Sequence, residues 1–199
     1  MKKTILFAVA FAVFFTGISY AESLLIDDFE GVISGGAQGT VDFGSGNGSS
    51  LNVSASTGTK YSGNQSLELK YDAISGGYMW AARGSSLDAA GAGWLIKPED
   101  IEWGGYSKIS FYMFGSNSGA MVAFDIKDSG SEIWRFLIED NFTGWKQIVC
   151  EFNKFMARDD WQPQDADNNL ELDFPLKSFQ FEVLPEAKGT VYFDKVELE

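Results

Sequence analysis

Short runs in which apolar and polar residues alternate, each broken by Gly, Asn, Asp or Ser, recur from Leu24 to the end of the chain. Period-two alternation sends successive side chains to opposite faces of a strand, so it favours half-buried sheet over the 3.6-residue stripe of an amphipathic helix. Nine strands are expected: Leu24 to Phe29, Gln65 to Tyr71, Tyr78 to Arg83, Lys108 to Phe114, Met121 to Lys127, Ile133 to Glu139, Lys146 to Phe152, Ser178 to Leu184 and Thr190 to Leu198. Many short strands joined by turn-rich loops imply an all-β chain folded as a two-sheet antiparallel β-sandwich. The alternation is cleanest in Lys108 to Phe114, which places Ile109, Phe111 and Met113 in the core.

Residues 1–21 read as a targeting segment rather than structure. Lys2 and Lys3 precede an apolar run from Ile5 to Phe15, and Ser19-Tyr20-Ala21 ends in a small-x-small pattern suited to cleavage after Ala21. The run is too short to span the roughly 30 Å core of a bilayer, and no second apolar stretch follows. The expectation is an exported protein, periplasmic or extracellular, without membrane insertion, whose residues 22–199 form a single domain. Only Cys150 is present, alternating with Ile148 and Phe152, so an internal disulfide is excluded and the thiol reads as a buried small hydrophobe.

Charge narrows the function classes. Against 28 Asp and Glu stand 15 Lys and Arg, a formal net charge of −13, with no His. Such a balance opposes phosphate-backbone binding, so nucleic acid is not an expected partner. Without His, most hydrolase triads and catalytic zinc sites cannot be built. The Gly- and Ser-rich stretch Gly31 to Ser50 lacks the Lys-Ser/Thr ending and helix of a phosphate-cradling loop and reads as a mobile surface loop. A second irregular segment, Met156 to Pro175, carries Arg158, Asp160, Trp161 and Pro163; long loops with an aromatic among charges are often functional.

Four segments then fall into a familiar order. Leu25-Ile26-Asp27-Asp28-Phe29-Glu30-Gly31 opens the domain, Tyr106 to Phe111 starts a mid-chain strand, Thr143-Gly144-Trp145-Lys146 precedes another, and Gly189 to Leu198 closes it. This order resembles family eleven carbohydrate-binding modules and the related complex I intermediate-associated domains, both galactose-binding-like jelly rolls. The resemblance spans nearly all of residues 22–199, and its most specific piece is Phe155 to Pro163, with Arg, Asp and an aromatic ahead of Gln-Pro.

The resemblance implies a non-catalytic protein binding β-1,4 or mixed-linkage β-1,3-1,4 glucan in a groove on the concave sheet. A pyranose has an apolar face of axial C–H groups that stacks on a flat aromatic, while its equatorial hydroxyls need planar polar partners. By resemblance Tyr78 matches one aromatic platform, and Arg158, Asp160 and Trp161 match the Arg, Asp and aromatic of the loop. Two positions depart from the pattern: Val183 stands where a ligand-contacting aromatic is expected, and Lys177 where an acid is expected. The early loop aromatic has no counterpart among Ser34, Gly35, Gly36 and Ala37. Glu30 and Asp194 match the carboxylates with which related jelly rolls bind a structural Ca2+; hard oxygen ligands suit that ion. As plain residues, they are equally readable as solvated edge charges.

Other aromatics have a blander reading. Trp80, Trp134 and Trp145 lie in or beside expected strands and read as core. Arg158 with Asp160 is readable as a surface ion pair, and Arg135, opposite in phase to Trp134, as a weaker groove candidate. Two alternative functions stand beside the leading one. The first is a secreted or cell-envelope jelly roll that has lost sugar binding and engages a protein. The second is a glycoside hydrolase using Asp159 and Asp160, which adjacency disfavours because that chemistry needs carboxyls roughly 5 to 9.5 Å apart facing one cleft. A lone module would work beside separately secreted glycoside hydrolases or scavenge oligosaccharides.

Overall fold

The computed structural model describes residues 22–199; the expected targeting segment, 1–21, lies outside the described residues. Twelve strands follow in order: β1 Leu24–Asp27, β2 Asp42–Gly46, β3 Ser50–Ser56, β4 Ser66–Ala73, β5 Tyr78–Gly84, β6 Lys108–Ser116, β7 Met121–Lys127, β8 Ile133–Glu139, β9 Thr143–Glu151, β10 Met156–Ala157, β11 Ser178–Val183 and β12 Ala187–Leu198. They form two six-stranded antiparallel sheets. Sheet A runs β3-β4-β12-β6-β9, with β1 also paired to β12, and sheet B runs β10-β8-β7-β11-β5-β2. This is the expected sandwich of jelly-roll type. No described helix is long and apolar enough to cross a membrane.

The core lies between the sheets, where alternate residues of each strand point inward. Ile109, Phe111 and Met113 of β6 are fully buried, as the alternation demands. Phe111 and Phe193 from sheet A meet Phe124 and Phe181 from sheet B, with Phe181 and Phe193 stacked at 3.7 Å between centroids. Each buried aromatic of this kind contributes about 1.5 to 3 kcal/mol, which lets a chain without disulfides hold together. Cys150 is buried on the inner face of β9, and burial pushes its thiol well above the ordinary range.

Two features depart from expectation. The stretch Gly31 to Ser50 is not all loop: its second half forms β2 and the start of β3. Glycine has weak strand propensity and hides the alternation in β2, whereas β3 contains no glycine and does carry a period-two signal in Leu51, Val53 and Ala55. Trp145 is not core; it lies on the outer face of sheet A, edge-on to Phe114 and Tyr61. Its register partner on β6 is Phe114, which also points outward, whereas Ile148 and Cys150 of the same strand point in.

Candidate functional site

Across sheet B, Asp42, Ala82, Gln180, Asp125, Arg135 and Met156 are successive register partners from β2 to β10. Register partners in an antiparallel sheet share a face, so these six side chains form one row. Their strand neighbours Met79, Ala81, Phe124, Ile126, Phe179 and Phe181 are buried in the core, which makes the row's face the outer one. Tyr78, Trp80, Leu137 and Glu182 lie two positions or a multiple of two along and belong to it as well.

The centre of this face is ionic. Arg135 grips Asp125 through two bonds, Nε to Oδ1 and Nη2 to Oδ2, both 2.8 Å, and also bonds Glu182. Arg158 reaches in from the loop after β10, with Nη1 3.4 Å from Asp125 and 3.3 Å from Glu182. Its other edge holds Asp160, Nε to Oδ1 at 2.6 Å and Nη2 to Oδ2 at 3.0 Å. Gln180 donates to Asp125 at 3.1 Å. Arg135 is therefore central rather than peripheral, and Arg158 with Asp160 belongs to a network instead of an isolated surface pair. Paired guanidinium and carboxylate groups satisfy one another here and still present lone pairs and N–H groups outward.

Electrostatics follow from burial and pairing. Burial pushes the Glu182 carboxyl up, and the charges of Arg135 and Arg158 only partly offset it. Asp160, more exposed, is held below its ordinary value by the hydrogen bond from Arg158, against a smaller effect of burial. Burial disfavours the charged form of both arginines, yet their carboxylate partners outweigh it and raise both above the ordinary value.

Aromatic rings flank this centre. Trp161 is 55% exposed, and the Arg158 guanidinium lies 5.8 Å from its ring centre, a cation–π contact that orients the indole. On the opposite side Tyr78, 46% exposed, lies beside Trp80 with centroids 6.1 Å apart and ring planes 15° from parallel. Trp80 is thus on the outer face and not in the core. Met79 and Ala81, its neighbours on β5, take the inward positions, and the Trp80 indole N–H donates to Asp42 at 3.3 Å. The alternation in Tyr78-Met79-Trp80 carried that signal, since Trp80 must share the face of Tyr78.

The loop bearing Arg158 and Trp161 is fastened by Gln162. Its side-chain amide accepts from the Ile133 N–H and donates to the Ile133 and Arg158 carbonyls. Two expected comparison positions fall elsewhere. Val183 points into the core and is 1% exposed, because β11 sends Glu182 outward in its place. Lys177 precedes β11 and donates to the Ser131 hydroxyl at 2.8 Å, away from the network.

Glu30 and Asp194 lie apart from this face, bridged by the loop between β3 and β4. Asp194 is fully buried; its Oδ2 accepts from the Tyr61 and Ser62 N–H groups, while Oδ1 has no partner. Glu30 accepts from the N–H groups of Asn64 and Gln65 and the Asn64 amide, which together outweigh burial and lower its pKa. Among the described residues no set of three or more His, Cys, Asp or Glu side chains is placed to hold one ion.

A jelly-roll sandwich with aromatics flanking a hydrogen-bonding centre on one sheet face is the architecture of a carbohydrate-binding module. Residues 16–199 match the model of the carbohydrate binding domain of family 11, and the chain belongs to that family. It is 27% identical over 183 residues to Endoglucanase H of Acetivibrio thermocellus, a match covering 87% of this chain and 18% of the endoglucanase. Among solved structures, a family 11 module from Clostridium thermocellum in complex with a β-1,3-1,4-mixed-linked tetrasaccharide is 24% identical, with TM-score 0.67 over 88% of this chain and 94% of that one. The family 11 module of the cellulosomal cellulase Lic26A-Cel5E from the same organism is 22% identical, with TM-score 0.67 over 90% and 95%. At these identities the structural likeness speaks for the fold.

Proposed function

We propose that this protein is an exported, non-catalytic carbohydrate-binding protein that holds a neutral β-glucan-type polysaccharide across the outer face of sheet B. The observation that carries this reading is the placement of Tyr78 and Trp161, both largely exposed, on opposite sides of the Arg135–Asp125–Arg158–Asp160–Glu182 network. Tyr78 and Trp161 stack on pyranose faces; Arg158 and Asp160 exchange hydrogen bonds with hydroxyls. Three carboxylates against two arginines, in a chain of net charge −13, favour a neutral over an anionic glycan. Asp125, Asp160 and Glu182 are each bound to arginine, which argues against a free acid and base pair. Export rests on the Lys2-Lys3 and apolar pattern of the first 21 residues, and separately secreted glycoside hydrolases are the fitting partners.

A structural Ca2+ held by Glu30 and Asp194 belongs to the same proposal. The buried, unpartnered Oδ1 of Asp194 fits a hard cation. The carbonyls of Phe29 and Gly31, which share the Gln65 amide at 2.6 Å, are hard oxygens of the same neighbourhood.

The test is affinity electrophoresis of residues 22–199 in gels containing mixed-linkage β-glucan, xyloglucan, hydroxyethylcellulose or no polymer, beside Trp161→Ala. Retardation by a glucan that the variant loses is the expected result. Unchanged mobility in every gel overturns the reading in favour of a jelly roll that engages a protein.

A further inference from the structure

The outer face of sheet A, on the far side of the sandwich from the ionic network, carries its own aromatic cluster. Tyr192, Phe114 and Trp145 are successive register partners across β12, β6 and β9, and their rings meet edge to face. In the next row Tyr112 of β6 stands beside Gln147 of β9. Over Tyr112 lies Tyr61, from the loop between β3 and β4, with centroids 3.4 Å apart and planes 12° from parallel. One face of the Tyr61 ring is therefore taken by Tyr112 and the other is open, and the residue is 43% exposed. The Trp145 ring stands beside it at 63°, its centroid 6.0 Å away, so that a floor and a wall form a corner. The loop that carries the floor is pinned. Its Tyr61 and Ser62 N–H groups donate to buried Asp194, its Asn64 and Gln65 N–H groups to Glu30, and the Ser66 hydroxyl to the Thr59 carbonyl. An exposed ring held this firmly loses little freedom when a ligand settles on it.

The surroundings select the ligand. Beside the tyrosine pair, the Gln147 amide donates to the Ser110 hydroxyl at 3.2 Å and to the Glu199 carboxylate at 3.0 Å, so hydrogen-bonding groups border the corner. The neighbouring charges are matched within the face, Lys108 with Glu199 at 3.0 Å and Lys195 with Glu197 at 3.1 Å, which favours a neutral ligand over an ion. The open part of Tyr61 amounts to about 90 Å² of a side chain that offers roughly 200 Å², far below the roughly 800 Å² per partner of a stable protein interface. A flat apolar face one ring in size, bordered by polar groups, matches a neutral pyranose. We propose that the Tyr61–Trp145 corner is a second sugar-binding site, which takes a single neutral pyranose with its apolar face on Tyr61. The protein then holds two stretches of polysaccharide on opposite faces. This rests on the reading above for the class of ligand alone and uses none of the residues of sheet B. One stacked ring binds weakly, with a Kd on the order of millimolar, and gains by effective concentration once sheet B holds the same polymer.

The experiment follows the indole N–H resonances of Trp145 and Trp161 by NMR while residues 22–199 are titrated with cellotetraose or a mixed-linkage tetrasaccharide. The native protein is compared with Trp161→Ala, Tyr61→Leu and Tyr61→Phe, alongside thermal melting. The expected result is that both resonances move in the native protein and that Trp161→Ala leaves the Trp145 curve in place. Tyr61→Leu still covers Tyr112 but has no flat face, so it should melt close to the native protein while the Trp145 curve weakens about tenfold and the Trp161 curve stays. Tyr61→Phe keeps the face and should bind within about twofold of the native protein. A Trp145 resonance that stays still while that of Trp161 moves, or that moves only when Trp161 is present, overturns the second site alone. So does a Trp145 curve unchanged in Tyr61→Leu, or a Trp145 shift that appears on concentrating the protein without sugar, which assigns the corner to self-association. If neither resonance moves with either sugar, the second site falls together with the glucan reading.

Discussion

Gln162 pairs with the main chain of Ile133 as one strand pairs with another: the Ile133 N–H donates to Oε1 at 2.7 Å and Nε2 donates to the Ile133 carbonyl at 2.9 Å. The same Nε2 reaches the Arg158 carbonyl at 2.8 Å. A side chain thus completes the pairing that β10 leaves unfinished beside the first residue of β8, where the Arg158 N–H also donates to the Ile133 carbonyl, and fixes the loop that presents Arg158 and Trp161.

Replacing Gln162 by Leu keeps the volume and deletes all three bonds. Leaving the Ile133 N–H without a partner should cost about 1 to 3 kcal/mol in denaturant unfolding, while the Ile133 carbonyl keeps the Arg158 N–H. Glucan affinity should fall as well, although Gln162 lies behind the loop, because Arg158 and Trp161 lose their anchor. Unfolding curves and affinity gels on one preparation measure both effects; a variant that loses stability yet binds normally would show that the loop holds itself.

How much of this was legible in the sequence depended on how each residue declares its face. The strands Met121–Lys127 and Ile133–Glu139 were readable to the residue, because their inward positions are large and apolar. β2 was not, since glycines that make room for rings resemble glycines that make loops. Tyr78, Arg158, Asp160 and Trp161 were found on this face, while Arg135, Asp125 and Glu182 were missed as a unit. Long-range ion pairs leave no local spacing to read: Arg135 and Glu182 lie 47 residues apart. Val183 stands by resemblance where a ligand-contacting aromatic is expected, and the phase of β11 turns it inward.

The ionic centre should be costly to break from one side. Arg135 is nearly enclosed, and its removal leaves Asp125 and Glu182, 1% and 5% exposed, with only Arg158 as counter-ion. Arg135→Met should therefore destabilise the domain by about 3 to 5 kcal/mol, since an uncompensated buried charge is the expensive outcome. The double variant Arg135→Met with Glu182→Leu should recover part of that loss, which a double-mutant cycle on chemical denaturation would reveal.

The exposed platforms should separate binding from stability. Trp161→Ala and Tyr78→Ala each remove one stacking face worth about 1 to 2 kcal/mol, roughly five- to thirtyfold in affinity. As both rings are largely exposed, melting should shift little. A neutral ligand releases no condensed counter-ions, so affinity for mixed-linkage glucan should stay nearly constant between low and physiological salt, and an anionic polyuronate should not bind.

Calcium should stabilise the domain through Asp194. An ion binding only the folded state contributes about 2.7 kcal/mol at a hundredfold excess over its Kd, enough to raise the melting temperature by several degrees. Chelation should reverse the rise, and Asp194→Asn should abolish the response while leaving the binding face of sheet B untouched. Melting curves with and without Ca2+ decide this, and an equal rise in Asp194→Asn would place the ion elsewhere.

Acid should weaken the fold in part through Asp140. This residue is buried just after β8 and accepts from the N–H groups of Ser116, Asn117 and Ser118 and from both serine hydroxyls, closing the turn between β6 and β7. Burial alone would push its carboxyl up, but these donors outweigh it and hold the pKa below the ordinary value. A carboxyl depressed on folding contributes stability above its unfolded pKa and loses it as pH falls through the folded pKa, so the loss begins near about pH 4 and continues below. Asp140→Asn keeps the shape, reverses one acceptor into a donor and removes the charge, and should cost about 2 kcal/mol at neutral pH. Its unfolding free energy should then vary less than that of the native protein between pH 5 and 3, on the order of one ionisation fewer in the linkage slope. Parallel pH profiles for the two proteins would place that portion of the acid sensitivity at Asp140 or elsewhere.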